Sequence, residues 1–266
     1  MPDSVAVPLV LWEEAAACGS AVAVTTRHGG VSQSPYDTLN LGLHVGDRPV
    51  DVELNRARAA AAFGVGLDTM VFARQVHGAT AALVGPADRG RGSVSEDDAV
   101  PGADILVTTS VGVTLVILVA DCVPLALVDP AAGVLAAVHA GWRGTAAGAV
   151  AAALRAMTDR GARPERVRAF LGPAVAPERY QVDPAVRHAL ARAVRPADLD
   201  PAVARADGPD HWLVDLVAAN RQQLVGRGIL PEHISASGVT TADGAFFSDR
   251  AARPCGRFAL MARLLG

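Results

Sequence analysis

Lysine is absent from the 266-residue chain, so every cationic role falls to arginine. Schiff-base chemistry and phosphate-loop lysine chemistry are both excluded. Aromatic residues are scarce at 4%, while hydrophobic residues reach 51% with alanine prominent, which predicts a folded protein with a small-residue core rather than a disordered one. There is no basic excess: the formal net charge is −3 and the sequence pI near 6.1. Extended nucleic-acid binding is therefore not expected, and any phosphate that binds should be small. The three cysteines, Cys18, Cys122 and Cys255, are odd in number and scattered, so they form no disulfide framework. Reduced thiols and a cytoplasmic setting fit better. The opening Met1-Pro2-Asp3 carries no basic region before an apolar stretch, and no signal peptide is expected. The apolar run from Val111 to Val128 is broken by Asp121 and Pro124, which favours a buried sheet over a membrane span.

Two segments stand out, Ala120-Asp121-Cys122-Val123-Pro124-Leu125 and Val138-His139-Ala140-Gly141-Trp142-Arg143-Gly144-Thr145. They place a thiol and an imidazole at the ends of apolar, β-branched runs: Thr114 to Val119, Val123 to Val128 and Val134 to Val138. Asp129-Pro130-Ala131-Ala132-Gly133 carries turn chemistry between the last two runs. A hairpin that sets Val128 opposite Gly133 brings Cys122 opposite His139, and directly opposed residues have Cα atoms about 4.5–5.5 Å apart. Pro124 argues for an edge strand or a bulge. Asp121, by alternation, should point away from Cys122 and serve in hydrogen bonding. Taken alone, a cysteine and histidines at strand ends are more often packing residues than ligands.

Further along, Val22–Thr26 and Met70–Gln75 read as strands, the second delivering Val76-His77-Gly78. Helices are expected over Asp51–Phe63, over Thr145–Arg160 with Thr145 as N-cap and Gly161 as stop, over Pro184–Arg195 and over Leu213–Gly226. Phe170-Leu171, Ile234–Val239 and Phe258–Met261 complete the strands; Asp88–Asp98 reads as an exposed loop, and Asp198–Asp210 as an insertion. No internal repeat is present, and residues 1–266 read as one domain.

The motifs TTRHGGVS, LNLGLHVGD, NR, QVHG, ADCVPL, VHAGWRGT, LGPAV and FFSDR, in this order over nearly the whole chain, resemble the YfiH family, also called the laccase-domain or multicopper polyphenol oxidase family. The resemblance implies an α+β layered sandwich of mixed β-sheets flanked by helices, related to a bacterial toxin with a Cys-His deamidase site. It implies a zinc-dependent purine nucleoside phosphorylase acting on adenosine, inosine and methylthioadenosine, with adenosine deaminase activity; bacterial members are also called peptidoglycan editing factors. Purine nucleosides and phosphate are the implied partners, with no nucleic acid and no membrane. A monomer is the expectation for a single-domain enzyme of this size.

Carried over by residue, the resemblance assigns metal ligation and catalysis to His77, Cys122 and His139. Two imidazoles and a thiolate leave a fourth tetrahedral position for water or substrate. Arg56 matches the NR motif as a catalytic and phosphate-binding residue, and Arg27 and Arg143, which flank Gly-rich turns beside the implied metal, are assigned to substrate and phosphate binding with it. A guanidinium fork suits phosphate oxygens, although Arg56 reads equally as a solvated helix face. Gly141 to Thr145 opens a helix whose N–H groups suit an anion. His28 and His44 lie in matched motifs without an assigned role, and Phe246-Phe247 suits an aromatic wall for a purine. The chain departs from the family pattern at Thr240-Thr241, where many members carry Cys-Thr, and at Ser248-Asp249-Arg250-Ala251, in place of Ser-Tyr-Arg-Arg. Two other chemistries fit the same residues. One is a metal-free Cys-His hydrolase acting in peptidoglycan editing, with Cys122 as nucleophile and His139 as base. The other is a copper polyphenol oxidase, since His and Cys also suit copper; the 7 histidines lack the His-x-His pairs that a multinuclear copper centre needs.

Overall fold

The structure is a computed structural model and describes residues 6–193 and 202–266. Two six-stranded mixed sheets form the frame. The first runs in the order Leu9–Leu11, Ser20–Thr25, Phe258–Leu264, Thr114–Val119, Met70–Arg74, Val100–Pro101; its last three strands are parallel and the remaining pairs antiparallel. The second runs Ile234–Ala236, Arg168–Leu171, Val123–Asp129, Val134–Ala140, Ile105–Thr108, Ala81–Leu83, with parallel pairs only at its two edges. A three-stranded ribbon, Gln181–Val182, Trp212–Val214 and Ala204–Ala206, forms a separate small sheet.

The central strands Thr114–Val119, Val123–Asp129 and Val134–Ala140 are buried at every position and mostly apolar because both faces are covered. Leu115, Ile117 and Leu260 of the first sheet meet Leu106, Ala126, Val128, Leu135 and Ala137 of the second. The alternate residues Leu125, Leu127, Ala136 and Val138 face outward onto Val150, Leu154 and Met157 of the helix Ala149–Thr158 and onto Leu224 of Leu216–Val225. On the other side, Ala23, Val116, Leu118 and Met261 pack against Ala59 and Ala60 of the helix Pro49–Ala62. The result is a layered α+β sandwich, as the resemblance implies. Among the described residues no helix is long and apolar enough to cross a membrane.

Three expectations change in detail. The hairpin pairs Val128 with Leu135 and Pro124 with His139, so Cys122 is not directly opposite His139. The register differs because Asp129 prolongs its strand and moves the turn one residue along the chain, to 130–133: its Oδ1 accepts the N–H groups of Ala131 and Ala132, and its Oδ2 accepts Arg163 N–H and the Arg166 guanidinium. Cys122 stands two residues from Pro124 and so on the same face as His139, a diagonal rather than a direct neighbour. Pro124 lies near the start of an interior strand, where the ladder to Arg168–Leu171 has ended, so its missing donor is tolerated.

The helix expected over Thr145–Arg160 is two helices, Trp142–Ala147 and Ala149–Thr158, broken at Gly148, whose φ of 82° lies in the left-handed region. Thr145 is not a cap: it sits buried inside the first of them, and its hydroxyl accepts from Asn220 Nδ2 at 3.0 Å. The helix expected from Leu213 begins at Leu216, because Asp215 caps it by accepting Ala218 N–H at 2.8 Å, which leaves Trp212–Val214 free to pair as a strand. Helix Pro184–Ala193 agrees with expectation over the described residues, and Val194 and Arg195 lie outside them. Of the expected insertion, residues 198–201 also lie outside, while Ala204–Ala206 is a strand.

Candidate active site

His77, Cys122 and His139 converge from three separate segments of the chain, two connections and a strand. His77 follows the strand Met70–Arg74, Cys122 follows Thr114–Val119, and His139 is the penultimate residue of Val134–Ala140. One ligand atom from each lies within 4.8 Å of the others, and the two imidazole rings meet edge to face with centroids 4.7 Å apart. Tetrahedral coordination at about 2.0–2.3 Å places ligand atoms about 3.5 Å apart, a spacing close to that of this group. Among the described residues this is the one group of three or more His, Cys, Asp or Glu able to hold a metal.

The buried carboxylate of Asp104 holds two of the three residues of this cluster, His77 and His139. Its Oδ1 lies 2.8 Å from His139 Nδ1 and accepts the N–H of His77 at 2.9 Å, while Oδ2 accepts from Gly78 at 2.7 Å and Val76 at 3.3 Å. The Asp104 carbonyl also accepts His139 N–H at 2.8 Å. Fixing Nδ1 directs Nε2 of His139 to the cluster, the usual way a carboxylate orients a ligating imidazole. The same contacts hold His77 at φ 60°, a left-handed conformation that costs a non-glycine residue about 1–3 kcal/mol.

The Cys122 turn is built the same way. Asp121, at φ 85°, turns its carboxylate away from the thiol to accept from Thr241 Oγ1 and from Arg250 N–H, both at 2.6 Å, and its carbonyl accepts Val175 N–H. The hydrogen-bonding role is the expected one, but a left-handed turn between two strands brings it about rather than strand alternation. Burial pushes the Cys122 thiol up, but the adjacent imidazoles of His139 and His77 pull it further down, so its thiolate is favoured. For His139, burial disfavours the charged form and is outweighed by the Cys122 thiolate and Asp104, which raise it. Gly141 belongs to the site for want of a side chain: a Cβ there would lie 2.6 Å from Cys122 Sγ.

The cluster opens into a cavity of about 500 Å³. Arg143 lines it, exposed and stacked over Trp142 with 4.5 Å from guanidinium to ring. Arg56 also lines it and is no solvated helix residue: it is buried, over the Phe72 ring at 4.0 Å, with Nε on the Leu41 carbonyl and Nη1 on the Gly92 and Ser93 carbonyls. Burial brings its pKa down to about 10, so it remains a cation. Arg27 is not among the lining residues; it binds Asp37 and stacks over Phe247. His28 is likewise elsewhere, whereas His44 is on the wall. Phe246 and Phe247 are core residues between the sheets and make no purine wall. The aromatic groups at the cavity are Phe72, Trp142 and Tyr180.

Sequence reasoning missed Asp104, Glu96, Tyr180, Arg250 and Arg257, which sit in or beside this cavity. For Asp104 the signal was an acid directly ahead of the apolar strand Ile105–Thr108, a place where a carboxylate needs several donors. The others are isolated polar residues that only the fold collects.

Residues 21–264 match the family described as multi-copper polyphenol oxidoreductase laccase. The chain is 40% identical over 235 residues to the purine nucleoside phosphorylase YlmD of Geobacillus stearothermophilus, covering 87% of this chain and 85% of that one. It is 39% identical over 250 residues to the purine nucleoside phosphorylase ORF3 of Streptomyces griseus, covering 91% and 93%. The crystal structure of the hypothetical protein YfiH of Bacillus licheniformis superposes with a TM-score of 0.91 at 31% identity, covering 99% of this chain and 98% of that one. With the ordered motifs and the two-sheet frame in agreement with these relatives, the chain belongs to the YfiH, or laccase-domain, family.

Proposed function

We propose that this chain is a purine nucleoside phosphorylase that carries one zinc ion on His77, Cys122 and His139 and also deaminates adenosine. The observation that carries the proposal is the open-sided His-Cys-His cluster on the wall of a cavity that arginines and aromatic rings share. The names of the relatives at about 40% identity support phosphorolysis. The donor set fits zinc: two imidazoles and a thiolate, with one imidazole braced by a carboxylate. When bound, zinc supplies Lewis acidity at its open position, which suits attack of water at C6 of adenosine.

The chain's own residues do the rest. Arg143 and Arg56 present positive charge to the phosphate, with Arg27 bracing the neighbouring turn through Asp37. Trp142, Phe72 and Tyr180 offer ring faces to the purine. Adenosine, inosine and methylthioadenosine are the proposed nucleosides, residues 1–266 the working domain, and a cytoplasmic monomer the proposed form. The single cluster among the described residues and the 7 histidines do not favour a multicopper oxidase.

One observation favours a second reading: Asp104, His139 and Cys122 are ordered as an acid, base and thiol of a hydrolase. Resistance of Cys122 to alkylation in zinc-loaded protein argues against it. Chromatography of adenosine incubations tests the first reading. Adenine that forms only with phosphate, and inosine that forms without it, are the expected products; zinc-loaded protein that turns over neither overturns it.

A further inference from the structure

The cavity holds a second pair of titratable side chains that neither the metal cluster nor the phosphate-binding arginines use. His44 stands on the short turn Leu43–Val45 and Glu96 on the loop that follows Ser93, and both line the cavity. His44 Nδ1 lies 3.2 Å from Glu96 Oε1. Among the described residues no group hydrogen-bonds to His44 Nε2, so this nitrogen is available to a ligand. Both side chains remain partly open, at 44% and 41%.

Their meeting is built into the fold. Tyr36 donates to the Val45 carbonyl at 2.6 Å and Asn40 to the Gly42 carbonyl at 3.1 Å, which pins the His44 turn from both sides. Arg74 donates to the Glu96 carbonyl at 2.9 Å. Arg56 clamps the two segments together, one nitrogen on the Leu41 carbonyl and another on the Gly92 and Ser93 carbonyls. The buried Arg56 is thus a clamp between two segments as well as a charged part of the cavity wall.

We infer that His44, oriented by Glu96, is the catalytic proton donor to the purine leaving group. The inference rests on the phosphorolysis reading above and extends it. As the C1′–N9 bond breaks, its electron pair passes to the purine, and a phosphate oxygen forms the new bond to C1′. The Nε2 proton of the His44 imidazolium moves to a purine ring nitrogen, so the base departs neutral. Hydrogen phosphate loses its remaining proton on becoming the sugar ester, and that proton restores the imidazolium. General acid catalysis of this type contributes about 10²–10⁴-fold. Glu96 is a positioning residue: it fixes the ring and favours the imidazolium.

The charges around His44 set the pH dependence. Burial, then Arg257 ahead of the strand Phe258–Leu264, disfavour the imidazolium; Glu96 favours it; Arg56 of the helix Pro49–Ala62 disfavours it, and the net direction is downward. Arg74, at the end of its strand, and the His77, Cys122 and His139 cluster share the same cavity. Phosphorolysis should therefore fall as pH rises through the mildly acidic range, on the acid side of the ordinary histidine value, because the protonated fraction of His44 falls there. Glu96→Gln should move that decline to lower pH, since the favouring carboxylate is gone.

The deciding experiment pairs inosine with 7-methylinosine, whose alkylated base leaves without needing a proton. His44→Asn should lower phosphorolysis of inosine about 10²-fold or more while changing that of 7-methylinosine by less than about tenfold, with zinc content unchanged. Equal losses on both substrates, or no loss on inosine, would overturn the assignment of His44. If the wild-type protein releases no hypoxanthine from inosine and phosphate, the phosphorylase reading itself fails and this inference fails with it.

Discussion

Alanine at His77, Cys122 or His139 should abolish phosphate-dependent adenine release and phosphate-independent inosine formation together, each by about 10³-fold or more. Lewis-acid stabilisation is worth several kcal/mol, and each 1.36 kcal/mol is about one decade of rate. The three positions should behave alike because each supplies one of only three protein ligands, and two cannot hold a tetrahedral ion against solvent. The hydrolase reading expects a different pattern. There, Cys122→Ala and His139→Ala are inactive while His77→Ala, which removes neither nucleophile nor base, keeps substantial activity. Product chromatography on the three variants separates the two. Loss of one activity with full retention of the other would also contradict a shared centre.

Asp104→Asn should weaken zinc binding by about 10–100-fold and destabilise the metal-free fold by about 2–4 kcal/mol. The carboxylate is wholly buried and receives three backbone N–H groups as well as the His139 ring. An asparagine keeps the size but turns one acceptor into a donor, which faces donors. The stability effect has a pH signature. Burial raises the Asp104 carboxyl, but His139 and the Gly78 and Val76 N–H groups lower it further, so its net shift is downward. A carboxylate with a depressed folded pKa contributes its full stability above the unfolded value and loses it as pH falls through the folded one. Denaturation of metal-free wild type at falling pH should therefore converge toward the asparagine variant in acid. Equal zinc affinity and equal stability in the two proteins would remove Asp104 from its place in the site.

Much of the frame is legible in the sequence because it is repetitive physics. Runs such as Thr114–Val119 and Val134–Ala140 admit little besides buried strands, and they lie where expected. The positions of His77, Cys122 and His139 at strand ends were also legible, and the ordered motifs singled them out. What escaped depends on side chains that organise backbone at a distance. Asp129 displaces a turn by one residue and so shifts the hairpin register. Gly148 can break a helix only if the chain takes the left-handed conformation there, which composition does not announce. Arg56 is a cavity wall and a clamp at once because its carbonyl partners come from residues 41, 92 and 93, far apart in the chain. Asp104 is a single acid with no periodic pattern around it, yet it orders both histidines of the cluster.

Whether one zinc ion sits on His77, Cys122 and His139 is decided by X-ray absorption at the zinc edge of reconstituted protein, compared with Cys122→Ser. One sulfur at about 2.3 Å and two imidazole nitrogens at about 2.0 Å are expected, with a lighter fourth scatterer, and the sulfur shell should vanish in the variant. A zinc environment without sulfur in the wild-type protein, or one unchanged by Cys122→Ser, would contradict the proposed centre.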